Sequence, residues 1–409
     1  MSNSAQAATR VRGRDLFRDP SFLVMCVISL ANGLGEKFLF VFVALLASPL
    51  VPANLQNSMM SGVSLAFALP AVFLGSVAGV LVDRFPIKVM LFLSNLSRAL
   101  LLLTLPFAQH MFLPLLIFAF VFGSLTQFYN PAFMTTVPSI VRKEHLMTAN
   151  AALMTIMIMT VVGGFALAKP IGDMMGAQNA YLSVAIIYAV AALGSLLVRV
   201  PPRSTEAKEN ANFWKEWGST FVYLWKNPRL LSAYTVMMAM FGTFAALNVL
   251  AKDYTAKAFD LDNFGIIFAF AGAGMAIGAG IMGKFGRHLP KAIWVRTGCV
   301  VAGLALVGMA FAGNVNLAFG LATCVGIAGA MIDIPVSTLI QESVDEEMRG
   351  KIFGLQGMLV YLATLLPMII VGPLADLWGA AIMIAILGLS LALLAFLKLA
   401  EHPEPQAVS

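Results

Sequence analysis

Charge is what this 409-residue chain has least of: Asp, Glu, Lys and Arg together make up only 11% of it. Residues with apolar side chains make up 60%. A water-soluble domain of this length does not carry that balance, so most of the surface must face lipid. Cysteine is also scarce. Cys26, Cys299 and Cys324 all sit in apolar stretches, which excludes a disulfide framework and leaves them as small packing residues. The polar segments are too short to hold a soluble catalytic or nucleotide-binding domain. Gly278 to Lys284 has the outline of a phosphate loop, but Phe285 stands where Ser or Thr is required and no strand precedes it. The chain is therefore read as a non-enzyme with no cofactor and no metal site. The first apolar run is too long for a signal peptide and lacks a small-residue cleavage site, so 1–19 is expected to be a cytoplasmic tail.

Twelve apolar spans are predicted, at 21–47, 56–83, 88–108, 111–136, 146–171, 180–199, 229–251, 264–286, 291–312, 316–341, 350–375 and 379–398. Most hold the ~20 residues a helix needs to cross hydrocarbon. Of 26 Lys and Arg, all but Lys37, Arg98, Lys169, Lys252, Lys257 and Arg296 fall on the termini and one alternating set of loops or span ends. The positive-inside rule then puts both termini in the cytoplasm, and the basic balance reports topology, not nucleic-acid binding.

The apolar part repeats. Asp19-Pro20 returns as Asn227-Pro228, Gly79 and Pro86 as Gly283 and Pro290, Pro131 as Pro335, and Asp173 with Gly176 as Asp376 with Gly379. A near-constant offset means two copies of one unit, which in a membrane protein suits two bundles rocking about a central site. The expected units are a six-helix bundle at 20–199, a cytoplasmic linker at 200–228, a second six-helix bundle at 229–398 and a tail at 399–409. Within the linker, Phe213, Trp214, Trp217, Phe221, Leu224 and Trp225 fall at helical spacing opposite Lys215, Glu216 and Lys226. That pattern predicts a helix lying on the inner leaflet. Asp173 and Asp376 are read as matching caps of tight turns.

Gly79-Val-Leu-Val-Asp83-Arg84-Phe-Pro86-Ile-Lys88, between spans two and three, resembles the loop signature of the major facilitator superfamily. Asn95 to Ala99, Pro131 to Asn150 and Gln341 to Met358 look like the branch of macrolide-type and siderophore exporters. Gly35-Glu36-Lys37 is loosely similar to a motif of the related lysophospholipid transporters. The resemblance implies an all-α membrane protein with twelve transmembrane helices in two pseudo-symmetric bundles. It implies that spans one, four, seven and ten line a central cavity. It also implies that Asp83 caps span eleven near Gly350, latching the halves with Arg84 and Lys88 in the outward-facing state. Many drug–proton antiporters of this family carry an arginine in span four; here span four has none.

A charge within a bilayer is costly, so each one is a functional candidate. Glu36 lies about 22 Å into span one, with Lys37 beside it, and Asp333 lies in span ten before Pro335. Both carboxylates are expected on one water-filled path, suited to reversible protonation or to a cationic substrate. Asn32, Gln127, Tyr129, Asn130 and Asn248 are candidate hydrogen-bonding partners, and Phe38, Phe128, Phe241 and Phe244 a candidate apolar wall. Arg98, in span three, is read as structural.

These readings converge on a secondary transporter of a bacterial cytoplasmic membrane, acting as a monomer. It would export an amphipathic small molecule by alternating access with protons as the coupling ion. A lysophospholipid flippase and a non-transporting membrane sensor or assembly protein are the alternatives.

Overall fold

The computed structural model describes residues 13–142, 145–176, 179–199, 224–286, 289–343 and 349–396. Most of the linker, including Phe213, Trp214, Lys215, Glu216, Trp217 and Phe221 of the expected surface helix, lies outside them. Each expected span holds a main helix. These are α1 (Pro20–Ala47), α2 (Gln56–Arg84), α3 (Ile87–Leu102), α4 (Phe112–Ile140), α5 (Leu146–Met175) and α6 (Tyr181–Leu197). Then follow α7 (Pro228–Phe259), α8 (Gly265–Phe285), α9 (Lys291–Ala310), α10 (Val315–Ser343), α11 (Arg349–Trp378) and α12 (Ala380–Leu394). Among the described residues, nine helices are long and apolar enough to cross a membrane. The other three, α3, α6 and α12, have 16, 17 and 15 residues.

The sequence repeat is a repeat of local geometry. Asp19 caps α1 by accepting from the Ser21 and Phe22 amides at 2.8 and 3.4 Å, and Asn227 caps α7 by accepting from Leu230 at 3.4 Å. Each cap is followed by a proline at the first helical position, where no amide hydrogen is needed. Pro86 and Pro290 both precede a helix in extended backbone, at ψ 123° and 140°. Gly176 and Gly379 both turn the chain at positive φ, 77° and 92°.

Helix packing repeats as well. In the first half α1 packs on α4, α5 and α6, α2 on α4, and α3 on α4 and α6; the second half repeats each pair with α7 to α12. Between the halves, α2 meets α11 and α5 meets α8, which is the same contact seen twice. At the α2–α4 crossing a Cβ on Gly123 would lie 2.5 Å from the Phe67 carbonyl oxygen. At the equivalent α8–α10 crossing, a Cβ on Gly326 would press still closer on the Ala271 carbonyl. Without a hydrophobic drive between helices in lipid, such backbone approach supplies the packing.

Two boundaries differ from expectation. Span three breaks after Leu102 and resumes as a single turn at Leu105–Ala108, because Pro106 cannot continue the helix. α7 runs on past 251 to Phe259, and Asp260 closes it in left-handed backbone at φ 51°. The extension persists because its polar residues find partners. Lys257 pairs with Asp253 at 3.0 Å, and the Tyr254 hydroxyl donates to the Met309 carbonyl.

Gly326→Leu should lower thermal stability in detergent by about 1–3 kcal/mol through overpacking. Gly320→Leu, which meets open space, should leave it unchanged. Unfolding followed by the fluorescence of a thiol-reactive dye on the buried Cys299 reads both.

Candidate functional site

A cavity of about 290 Å³ lies between the halves. α1 contributes Glu36, Lys37 and Phe40, and α2 contributes Ser64, Phe67, Ala68 and Ala71. α4 gives Phe122, Gly123, Thr126, Gln127 and Asn130, and α5 gives Phe165. The second half adds Asn248 from α7 and Tyr361 and Met368 from α11. Four of the expected polar groups from the two halves (Glu36, Gln127, Asn130 and Asn248) therefore come together with Lys37.

The others do not. Asn32 is buried, donates to the Ile28 carbonyl at 2.9 Å and lies off the cavity wall. Tyr129 is buried beside Arg98. Asp333 is half-buried and hydrogen-bonds Ser337, one turn on in the same helix, and α10 gives the cavity no lining residue. Glu36 and Asp333 thus do not share this cavity. The expected apolar wall is also displaced. Phe38 packs in the first-half core against Phe42, and Phe244 packs by Gly329. The wall is Phe40, Phe67, Phe122 and Phe165. Helical spacing explains the first: Phe40 is four residues from Glu36 and shares its face, whereas Phe38, two residues on, points away.

Lys37 Nζ and Glu36 Oε1 pair at 3.0 Å, with the side chains 24% and 51% exposed, so the carboxylate looks into the cavity while the lysine lies against its wall. The wall is α5 at Gly164, where a Cβ would meet the Lys37 Cβ at 2.7 Å. Gln127 and Asn248 each donate to the carbonyl four residues earlier, at 3.3 and 2.8 Å.

Behind the wall sits Arg98, 1% exposed. Its Nε donates to the Ser94 carbonyl at 3.1 Å and its terminal nitrogen to Asn95 Oδ1 at 2.8 Å. The guanidinium carbon lies 4.5 Å from the Tyr188 ring centroid, 4.7 Å from Tyr129 and 6.0 Å from Phe122. Arg98 also interacts electrostatically with Glu36. Its helix, α3, gives the cavity no lining residue, yet the side chain reaches rings of α4 and α6 beneath it.

The halves are joined by hydrogen bonds at the end carrying the α1–α2, α7–α8 and α11–α12 connections. There Asp376, at the last turn of α11, caps α2 in trans. Its Oδ1 accepts from the Asn57 amide at 2.9 Å and from Asn57 Nδ2 at 3.0 Å, and its Oδ2 accepts from the Ser58 amide at 2.9 Å. A carboxylate on the free amides of a helix start gains from both the hydrogen bonds and the dipole. Asn57 Nδ2 also donates to Asp253 of α7 at 3.1 Å. Lys252 donates to Ser48 Oγ at 2.7 Å and Gln56 Oε1 at 2.9 Å. Among the described residues, hydrogen bonds between the halves gather at this end. The expected equivalence of Asp173 and Asp376 breaks here: Asp173 pairs with Lys169 of its own helix at 2.9 Å, while Asp376 joins the halves. Sequence reading took Asp376 for a turn cap and missed Asn57 and Asp253, because only the fold brings α2, α7 and α11 together. Of the expected latch, Lys88 is half-buried near the start of α3. The side chains of Gly79, Asp83, Arg84 and Gly350 lie outside the described set.

Asp376→Ala should shift the closed-to-open ratio of this end at least tenfold, since charge-assisted bonds contribute about 1.5–3 kcal/mol each. Spin labels at Leu55 and Leu377 should report a longer distance, with Asp173→Ala as the unchanged control.

Comparison with known proteins gives four findings. Residues 22–367 match the Major Facilitator Superfamily. The chain is 25% identical over 403 residues to the uncharacterized MFS-type transporter YfiS of Bacillus subtilis (strain 168), covering 94% of each chain. It is also 25% identical over 324 residues to macrolide efflux protein A of Enterococcus faecalis, covering 75% of this chain and 98% of that one. The fold matches the crystal structure of the nucleoside transporter NupG with a TM-score of 0.74 at 14% identity, covering 92% of this chain and 98% of that one.

Proposed function

Since this chain belongs to the Major Facilitator Superfamily, we propose that it is a secondary transporter that exports an amphipathic small molecule by alternating access. Membrane transport is the activity of its family and relatives, which are transporters and not enzymes. The observation that carries the finer reading is a polar and aromatic cavity between two halves that hydrogen bonds join at one end. Efflux is the direction named in the macrolide relative.

With both termini cytoplasmic, the end closed by Asp376 is the outer one and the state is inward-facing. α2 and α11 then carry the same device at opposite ends. Asp376, near the outer end of α11, caps the start of α2. Asp83, near the inner end of α2, would cap the start of α11 at Gly350 in the outward-facing state, with Arg84 and Lys88 beside it. Each cap compensates the other's loss, so the two states stay close in energy, as a transport cycle needs.

Coupling is assigned to Glu36, the one carboxylate on the described cavity wall. Protonating it breaks its pair with Lys37 and frees the lysine. Asp333, off the cavity, has no part in this reading.

The test is flux-linked pH change in inside-out vesicles across cationic dyes, macrolides, siderophores and lysophospholipids. One ligand should move protons in the wild type and in Asp333→Asn, and at least tenfold less in Glu36→Gln, an effect in the range of lost acid–base function. Flux without any pH change would remove the proton role. Binding without flux would establish a sensor in place of a transporter.

A further inference from the structure

The charged groups on the cavity wall, Glu36 and Lys37, pair with each other. Arg98, buried behind the wall, adds a positive charge with no described carboxylate in ion-pair contact. Asp333 and the gate carboxylates lie elsewhere, so no other described acid on the cavity wall offsets it. Glu36 is already engaged at 3.0 Å by Lys37, and a cationic guest would have to displace that lysine while standing near the Arg98 guanidinium. An acidic guest meets the opposite situation. It adds a counter-charge to a site short of one, in surroundings where an uncompensated charge is costly.

The rest of the wall fits an apolar body joined to that acidic group. Five ring contacts link Phe268, Phe165, Phe40, Phe67, Phe122 and Tyr188, with centroids 4.8, 6.3, 6.0, 6.0 and 5.5 Å apart in turn. Its four middle rings, Phe165, Phe40, Phe67 and Phe122, line the cavity, and its Tyr188 end meets the Arg98 guanidinium, 4.5 Å from the ring centroid. Those rings already spend their electron-rich faces on Arg98 at one end, which weakens the case for a second, exogenous cation.

We propose that the cavity recognises an anionic amphiphile, its acidic group seated on Lys37 with Arg98 behind and its apolar chain along the Phe40–Phe67–Phe122 arc. Glu36 is then the built-in competitor for Lys37, and neutralising it opens the site. The root of the Lys37 side chain packs against Gly164, which leaves the ammonium end able to reach a guest. The inference rests on the cavity being the transport site and names its substrate class. A lipid headgroup and a free acidic tail share this chemistry.

Equilibrium binding to the purified full-length protein in maltoside micelles tests it, with three radiolabelled probes: lysophosphatidylglycerol, dodecyl phosphate and dodecyltrimethylammonium. At least one acidic probe should bind tenfold or more tightly than the ammonium. Lys37→Gln should weaken that binding at least tenfold, and Glu36→Gln should tighten it several-fold. If both acidic probes bind, charge and chain suffice. If only the lysolipid binds, the glycerol headgroup is read too, and the source is a lipid. Arg98→Gln removes a buried group and risks misfolding, so the argument stands on Lys37→Gln and Glu36→Gln, whose fold is checked by melting temperature. Preference for the ammonium, loss on Glu36→Gln instead of Lys37→Gln, or binding of no probe overturns the proposal. The transport reading fails separately. Acidic probes that bind without flux keep this site and remove the transporter, whereas flux of a cation that depends on Glu36 does the reverse.

Discussion

Hydrocarbon neither hydrogen-bonds a polar group nor screens a charge, so each interior charge of this chain must be met by a partner at short range. The interior cations show how. Lys169 takes Asp173 at one turn's spacing, and Lys257 takes Asp253 in the same way. Lys252 leaves its own half for Ser48 and Gln56. Arg98 takes a carbonyl, an amide oxygen and the faces of two tyrosines. Lys37 takes Glu36, and among the described pairs this one lines the cavity. Where partners come from another half, the pairing also joins the halves, and where a pair lines the cavity it is available to a guest.

The same constraint makes the gate. A helix start leaves free amides that need an acceptor. Asp376 supplies it from the opposite half. A contact of this kind is strong enough to hold one state and local enough to be undone by a small rotation, because it involves two helix ends and not a packed core. α11 can come this close to α2 because Gly372 lacks a side chain: a Cβ there would meet the Asn57 carbonyl oxygen at 2.6 Å.

Much of the fold was legible without coordinates. Composition named the solvent, span lengths named helices, and the offset between Asp19-Pro20 and Asn227-Pro228 named the duplication, since a cap followed by proline is a local instruction. Glu36 and Lys37 were visible as candidates because a charge in an apolar run stands out. What was misread depended on rotation about a helix axis or on a distant partner. Phe38 was expected on the wall where Phe40 stands, Asp333 was expected beside Glu36, and Asp376 was taken for the twin of Asp173. In an almost wholly apolar helix, periodicity cannot say which face turns inward.

Sequence by itself therefore determined the class of the molecule, the place of its helices and the identity of the charges it must accommodate. Those follow from one-dimensional pattern: hydropathy, caps and repeats act over a few residues. Only the tertiary structure decided which charges meet. It set Glu36 and Lys37 in the cavity and Arg98 behind it, and left Asp333 outside. It also made Asp376 a bond between halves while Asp173 stayed within its own helix. The physical reason is that pairing energy depends on distances between helices, which no spacing along the chain encodes.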